Sequence, residues 1–166
     1  MTYRLEPLAE HDLEPFSCGN TTLDEWLHRH ARTATGQGTR TYVLIDEDDA
    51  VVGYFAVAPH YLNRDEAPPR LARGAPRQIP AILLAKLAVA TSIHGQGVGA
   101  ELLVHALGTI IDAARKAGGR VVVVDAIDDD AMAFYEHHDF DSLPGHDRRI
   151  VMKLSTAAKA LGVAWP

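Results

Sequence analysis

Apolar and polar positions along the chain follow two periods, and the switches between them mark the elements. Residues 3–10, YRLEPLAE, alternate with period two and predict a first strand. TTLDEWLHRHARTA at 21–34 has the helical period. Thr21 or Thr22 is the expected N-cap, Leu23, Trp26, Leu27 and His30 share one face, and GQG at 36–38 ends the helix. TYVLID and VVGYFAVAP, joined by the acidic turn EDDA, predict an antiparallel hairpin. Residues 60–80 contain four prolines and read as a long loop. AILLAKLAV at 81–89 is almost continuously apolar, as in a buried central strand. A helix then carries the stripe Leu102, Leu103, Ala106, Leu107, Ile110, Ile111 and Ala114 and stops at Gly118. RVVVVDAI predicts a further buried strand, DDDAMAFYEHHDF a short helix with aspartates in its first turn, and RRIVMKL a last strand. This order predicts a mixed α+β fold with helices packed on one twisted sheet, in a single domain over residues 1–166.

Composition narrows the function classes. The chain has 166 residues, of which 47% are hydrophobic, enough for a substantial core. One cysteine, Cys18, allows no internal disulfide and no thiol-rich metal site, which suits a reducing compartment. The first twenty residues carry Glu6, Glu10, Asp12 and Glu14 where a secretion signal needs an apolar run, and no stretch is long enough to span a membrane. A soluble cytoplasmic protein is expected. The net charge of −6 argues against indiscriminate polyanion binding.

The chemistry concentrates in LAVATSIHGQGVGAELL, residues 87–103. A strand that ends in glycines and feeds a helix leaves backbone N–H groups pointing outward, at the positive end of the helix dipole. Such a turn binds phosphate. Gly95, Gly97 and Gly99 would let the backbone approach a diphosphate closely. The segment lacks the lysine of a Walker loop and the third glycine of a dinucleotide fingerprint. A turn without any ligand is the plainer reading of the glycines alone. Tyr135 follows another strand, and its hydroxyl could deliver a proton or its ring could simply pack. The histidine pairs His28/His30 and His137/His138 have no cysteine partner and no HExxH spacing, so no metal is expected. Cys18 reads as a small buried residue.

Together, His94-Gly95-Gln96-Gly97-Val98-Gly99 and Phe134-Tyr135-Glu136-His137-His138-Asp139-Phe140 resemble the paired motifs of the GNAT superfamily of N-acetyltransferases. FSCGNTTLDEWLHRHA and IPAILLAKLAV narrow the likeness to the TacT-like tRNA-acetylating toxins of type II toxin–antitoxin systems. Where that family has glycine before the final phenylalanine, this chain has Asp139, which tolerates left-handed backbone better than most residues. The resemblance implies one twisted, mostly antiparallel sheet of six to seven strands with a central parallel pair and about four helices. It implies acetyl-CoA as co-substrate, with no metal. The backbone of Leu87, Ala88 and Val89 would hold the pantetheine arm and acetyl carbonyl, with the Val89 N–H as oxyanion donor. His94, Gly95, Gln96, Gly97, Val98, Gly99 and Ala100 would hold the pyrophosphate, with Asp128 and Tyr135 also lining the cofactor. Tyr135 would protonate the departing thiolate. The attacking α-amine, with a pKa on the order of 8, is partly neutral at pH 7, and Asp125, Glu136 and His60 are candidate water-mediated bases.

Local charge fits a tRNA substrate better than the total does. Residues 67–100 carry Arg70, Arg73, Arg77 and Lys86 with no acidic residue, and residues 26–45 carry Arg29, Arg32 and Arg40 with none. Arg77, Lys86, Arg73 and Arg32 are the expected phosphate contacts. The leading reading is a toxin that acetylates the α-amino group of aminoacyl-tRNA and so blocks translation. Its expected partners are a ribbon–helix–helix antitoxin and a second copy in a homodimer. The alternatives are an acetyltransferase for a small-molecule or protein amine, and a non-catalytic acyl-CoA-binding module.

Overall fold

The computed structural model describes residues 2–166. Seven strands form one sheet: β1 (Arg4–Pro7), β2 (Arg40–Ile45), β3 (Val51–Asn63), β4 (Gln78–Val89), β5 (Val121–Asp125), β6 (Asp141–Ser142) and β7 (Arg149–Lys153), in the order β1-β2-β3-β4-β5-β7-β6. β4 and β5 pair in parallel, from Ala81↔Val121 to Leu84↔Val124. The pairs β1/β2, β2/β3, β5/β7 and β6/β7 are antiparallel. The pattern predicts the single mixed sheet, and the parallel pair within it is what the resemblance implies.

The described residues form two compact units, one of residues 2–58 and 85–106, the other of residues 59–84 and 107–166. In the first unit, α1 (Thr21–Glu25) continues through a π-helical turn, Trp26–His30, into α2 (Ala31–Thr35). The cap is Asn20, one residue before the threonines expected, because its side chain accepts the Leu23 N–H at 3.1 Å. The π turn, in which the Ala31 N–H reaches back to the Trp26 carbonyl, adds one residue to the turn and rotates the following face. Leu27 of the predicted stripe is buried, together with Ala31, whereas His30 of that stripe is exposed. Tyr54 of β3 lies fully buried, edge-on to Phe16 and donating its hydroxyl to the Leu23 carbonyl at 2.7 Å.

In the second unit, β3 runs on through His60 to Asn63 and β4 starts at Gln78, so the long loop shrinks to residues 64–77. Within it a 3-10 turn (Arg64–Glu66) and α3 (Pro69–Ala72) are closed at the base by Arg64 N–H donating to the Arg77 carbonyl at 2.8 Å. Leu71 and Ala75 turn inward to join Leu62, Ile79, Val121, Val123, Leu143 and Val151 in the core. The long helix α4 (Val98–Ala117) buries every residue of its predicted stripe. α5 is Asp129–His137. An unpredicted helix, α6 (Leu154–Leu161), follows β7 without a linker and buries Leu154, Ala157 and Ala158, so the apolar C-terminal stretch is partly helical.

Candidate active site

In the first unit, the candidate residues stand where β4 ends. Leu87 and Val89 are half-buried and Ala88 is buried. Beyond them the Ala90 N–H donates to the Val52 carbonyl at 2.8 Å, and the Thr91 N–H to the Ser17 carbonyl at 2.9 Å. β3 runs close here: a Cβ on Gly53 would lie 3.3 Å from the Ala88 carbonyl oxygen and from Leu102. After a 3-10 turn at Thr91–Ile93, His94 folds back and its Nε2 donates to the Val89 carbonyl at 2.7 Å. A carbonyl only accepts, so this nitrogen carries the proton.

Gly95 and Gly97 then take left-handed backbone, with φ of 78° and 77°. A Cβ at either would meet nothing within 4 Å, so glycine serves the conformation and leaves the surface open. Gly99 has no positive φ and lies inside α4, so only two of the three glycines use their conformational freedom. Glu101 N–H donates to the Gly97 carbonyl at 3.2 Å, and the earlier amides of Val98, Gly99 and Ala100 precede the first intrahelical bond. These amides stand at the start of a 20-residue helix, where the helix dipole is positive.

The second unit carries the tyrosine. Asp128 caps α5, its Oδ1 accepting the Ala131 N–H at 2.8 Å, which commits that oxygen to the helix. Tyr135 is buried, in edge contact with Phe134 and Phe140. Burial raises its pKa and keeps the phenol protonated. Among the described residues its hydroxyl has no hydrogen-bond partner, yet it is not one of the sealed polar atoms. Asp139 adopts φ 71°, the left-handed cap that replaces the family's glycine, and Phe140 N–H closes the turn on the Tyr135 carbonyl at 3.1 Å.

The three candidate bases separate on geometry. Both oxygens of Asp125 accept from Arg149, at 2.8 and 2.9 Å, and this pairing holds its carboxyl below the usual range. Glu136 is exposed. His60 is half-buried with its Nε2 sealed and unpartnered, and its pKa is lowered first by burial and then by the Arg149 charge. Asp125, His146, Asp147, Arg148 and Arg149 line an open cavity of about 430 Å³.

Of the four expected phosphate contacts, Arg73 and Arg77 are exposed. Arg32 is spent on structure: its guanidinium donates to the carbonyls of Ala9 and His11, at 3.1 and 2.7 Å. Lys86 is half-buried, with its Nζ 5.2 Å from the centre of the Trp26 ring. Sequence reasoning placed Trp26 on a packing face and missed this contact, which joins residues sixty positions apart. Among the described residues no three His, Cys, Asp or Glu side chains stand together as a metal site. His28 instead contacts the Phe16 carbonyl at 3.0 Å. Burial pushes the Cys18 thiol up to about 11, unlike a reactive nucleophile. No helix among the described residues is long and apolar enough to cross a membrane.

A parallel strand pair, a glycine turn opening a long helix and a capped FYE helix define an acyl-CoA-type transferase. Residues 37–142 match the acetyltransferase (GNAT) domain, and the chain belongs to the GNAT family of N-acetyltransferases. It is 34% identical over 151 residues to the "tRNA-acetylating toxin" of Mycobacterium tuberculosis, covering 91% of each chain. Among solved structures it is similar to AtaT complexed with acetyl-methionyl-tRNAfMet, with a TM-score of 0.87 and 25% identity over 96% of this chain and 99% of that one. It is also similar to a Tyr-to-Phe variant of the AtaT toxin bound to the C-terminus of the antitoxin AtaR and acetyl-CoA, with a TM-score of 0.82 and 26% identity over 96% and 98%.

Proposed function

We propose that the protein transfers the acetyl group of acetyl-CoA to the α-amino group of aminoacyl-tRNA, and acts as a toxin by blocking translation. The observation that carries this reading is the 34% identity with the mycobacterial tRNA-acetylating toxin over 91% of both chains. The open left-handed turn at Gly95 and Gly97 supports it, because it suits the diphosphate of the acetyl donor. In this reading His94 through Ala100 hold the diphosphate, although the His94 ring is turned onto Val89. Leu87, Ala88 and Val89 hold the pantetheine arm. The Val89 N–H stabilises charge on the acetyl oxygen as the amine attacks. The carbon–nitrogen bond forms, the carbon–sulfur bond breaks, the Tyr135 hydroxyl delivers a proton to the sulfur, and the proton lost by the amine passes to water, from which the tyrosine is reprotonated. Asp128 contributes through the α5 cap. Arg73, Arg77 and Lys86 engage tRNA phosphates, and Arg32 supports the surface behind them.

The partner is an antitoxin of the ribbon–helix–helix type, the active form is a homodimer, and the protein works in the cytoplasm. A cell-free translation reaction with labelled acetyl-CoA tests the activity. Label is expected on the α-amine of aminoacyl-tRNA, with translation arrested. Label on free lysine amines or small amines, with translation intact, would overturn the reading.

A further inference from the structure

Lys86 stands on β4, three residues before Val89, and its surroundings are unusual for a lysine. It is half-buried and forms no ion pair among the described residues. Its contacts are the Trp26 ring and its own neighbour's carbonyl, Ala85 O, at 3.3 Å. Burial alone lowers its pKa, which agrees with the lack of a nearby carboxylate. Asp24, on the same helix as Trp26, is turned away: its oxygens accept from the Cys18 N–H at 2.8 Å and from Ser17 Oγ at 3.4 Å. A partly desolvated ammonium without a counter-ion is costly unless a ligand supplies the negative charge.

The ring beneath it is held rigidly. Trp26 stacks on Tyr54 with 9° between planes and 5.9 Å between centroids. Tyr54 is locked in turn by its hydroxyl bond to the Leu23 carbonyl. Trp26 also opens the π-helical turn, a distortion that recurs at functional sites. The same turn presents Arg29, exposed and unpaired among the described residues.

We infer that Trp26 and Lys86 form a preorganised anion subsite that takes a phosphate of the acceptor's 3′-terminal nucleotides, with Tyr54 as the support of the pair. The inference rests on the proposed aminoacyl-tRNA reading and adds to it the element that positions the acceptor end beside the acyl strand. Trp26 is a positioning residue: it fixes the ammonium by its ring face instead of by a carboxylate, so the charge stays available to the substrate.

Initial-rate acetylation of aminoacyl-tRNA, measured across a series of salt concentrations, tests it. The wild-type protein is measured first, and if it acetylates no aminoacyl-tRNA, the functional reading itself fails. If it does, Lys86→Gln is expected to raise KM for tRNA about tenfold, to leave kcat nearly unchanged and to reduce the slope of log affinity against log salt by about one. Lys86→Arg is expected to retain most of the affinity. Trp26→Leu is expected to raise KM in the same way, and Trp26→Phe, which keeps a ring face, to rescue it. Unchanged KM in Lys86→Gln, or a fall in kcat at constant KM, would overturn the subsite, as would a Trp26→Phe protein as impaired as Trp26→Leu. Circular dichroism of each variant separates these outcomes from misfolding.

Discussion

The imidazole of His94 donates from Nε2 to the carbonyl oxygen of Val89 at 2.7 Å, across the turn that joins β4 to the glycines. The same peptide group is held from its other side, where the Ala90 N–H donates to Val52 at 2.8 Å. The residue assigned as oxyanion donor is thus clamped at its exit, and the histidine acts on the strand more than on a phosphate. His94→Ala is therefore expected to lower kcat roughly tenfold, as small misplacements at a reacting centre do. His94→Gln, which can still donate, should retain most of the rate. Steady-state thiol release and a calorimetric titration with acetyl-CoA check this. Lost acetyl-CoA affinity at constant kcat would place the ring on the diphosphate instead.

Tyr135→Phe should cut kcat by about a hundredfold, the scale of a single proton-transfer catalyst. Stability should hardly change, because the hydroxyl has no partner among the described residues. Thermal denaturation alongside the rate measurement separates the two effects. A variant with wild-type turnover would remove Tyr135 from the chemistry.

Gly97→Ala isolates backbone conformation from space. The added methyl meets nothing within 4 Å, but φ of 77° in an L-residue costs about 1–2 kcal/mol. Acetyl-CoA affinity should fall about tenfold through distortion of the turn. Gly108→Ala in α4, where the space is also open and φ is not positive, should instead stabilise the protein by roughly 0.5–1 kcal/mol.

Asp139→Gly tests the α5 cap in the opposite direction. Relief of the left-handed strain at φ 71° should stabilise the fold by about 1 kcal/mol and raise Tm by about 2–4 °C. Differential scanning calorimetry measures it. An unchanged or lower Tm would mean that the aspartate side chain contributes as much as the strain costs.

His60 gives stability a pH dependence. Its folded pKa lies below the ordinary 6.5, chiefly through burial and secondly through Arg149, with Asp125 opposing. The unfolded chain therefore takes up a proton below pH 6.5 that the folded chain refuses. The contribution of neutral His60 is complete above pH 6.5 and is lost as pH falls through the folded value. Urea denaturation from pH 8 down to pH 5 should show the wild type losing stability faster than His60→Leu. Parallel curves would show that this ring does not govern acid sensitivity.

The elements legible in the residues are those whose signal is local. The α4 stripe from Leu102 to Ala114, the four-valine strand β5 and the glycine turn each repeat a pattern within a few residues, and all stand where that pattern puts them. The predicted strand ends at Pro59, whereas β3 continues to Asn63 with Pro59 at an exposed position. α6 was hidden because LSTAAKAL follows β7 with no turn residue between them.

The chain alone thus determined the α+β order, the glycine turn and the tyrosine helix, because backbone period, glycine conformation and capping act over a turn or two. Tertiary structure decided which charges remain available. Arg32 is drawn to two carbonyls more than twenty residues away, Asp125 is closed off by Arg149, and Lys86 is lifted over Trp26. Charge pairing is a property of distance in space, and folding sets those distances by packing, beyond the reach of any periodicity.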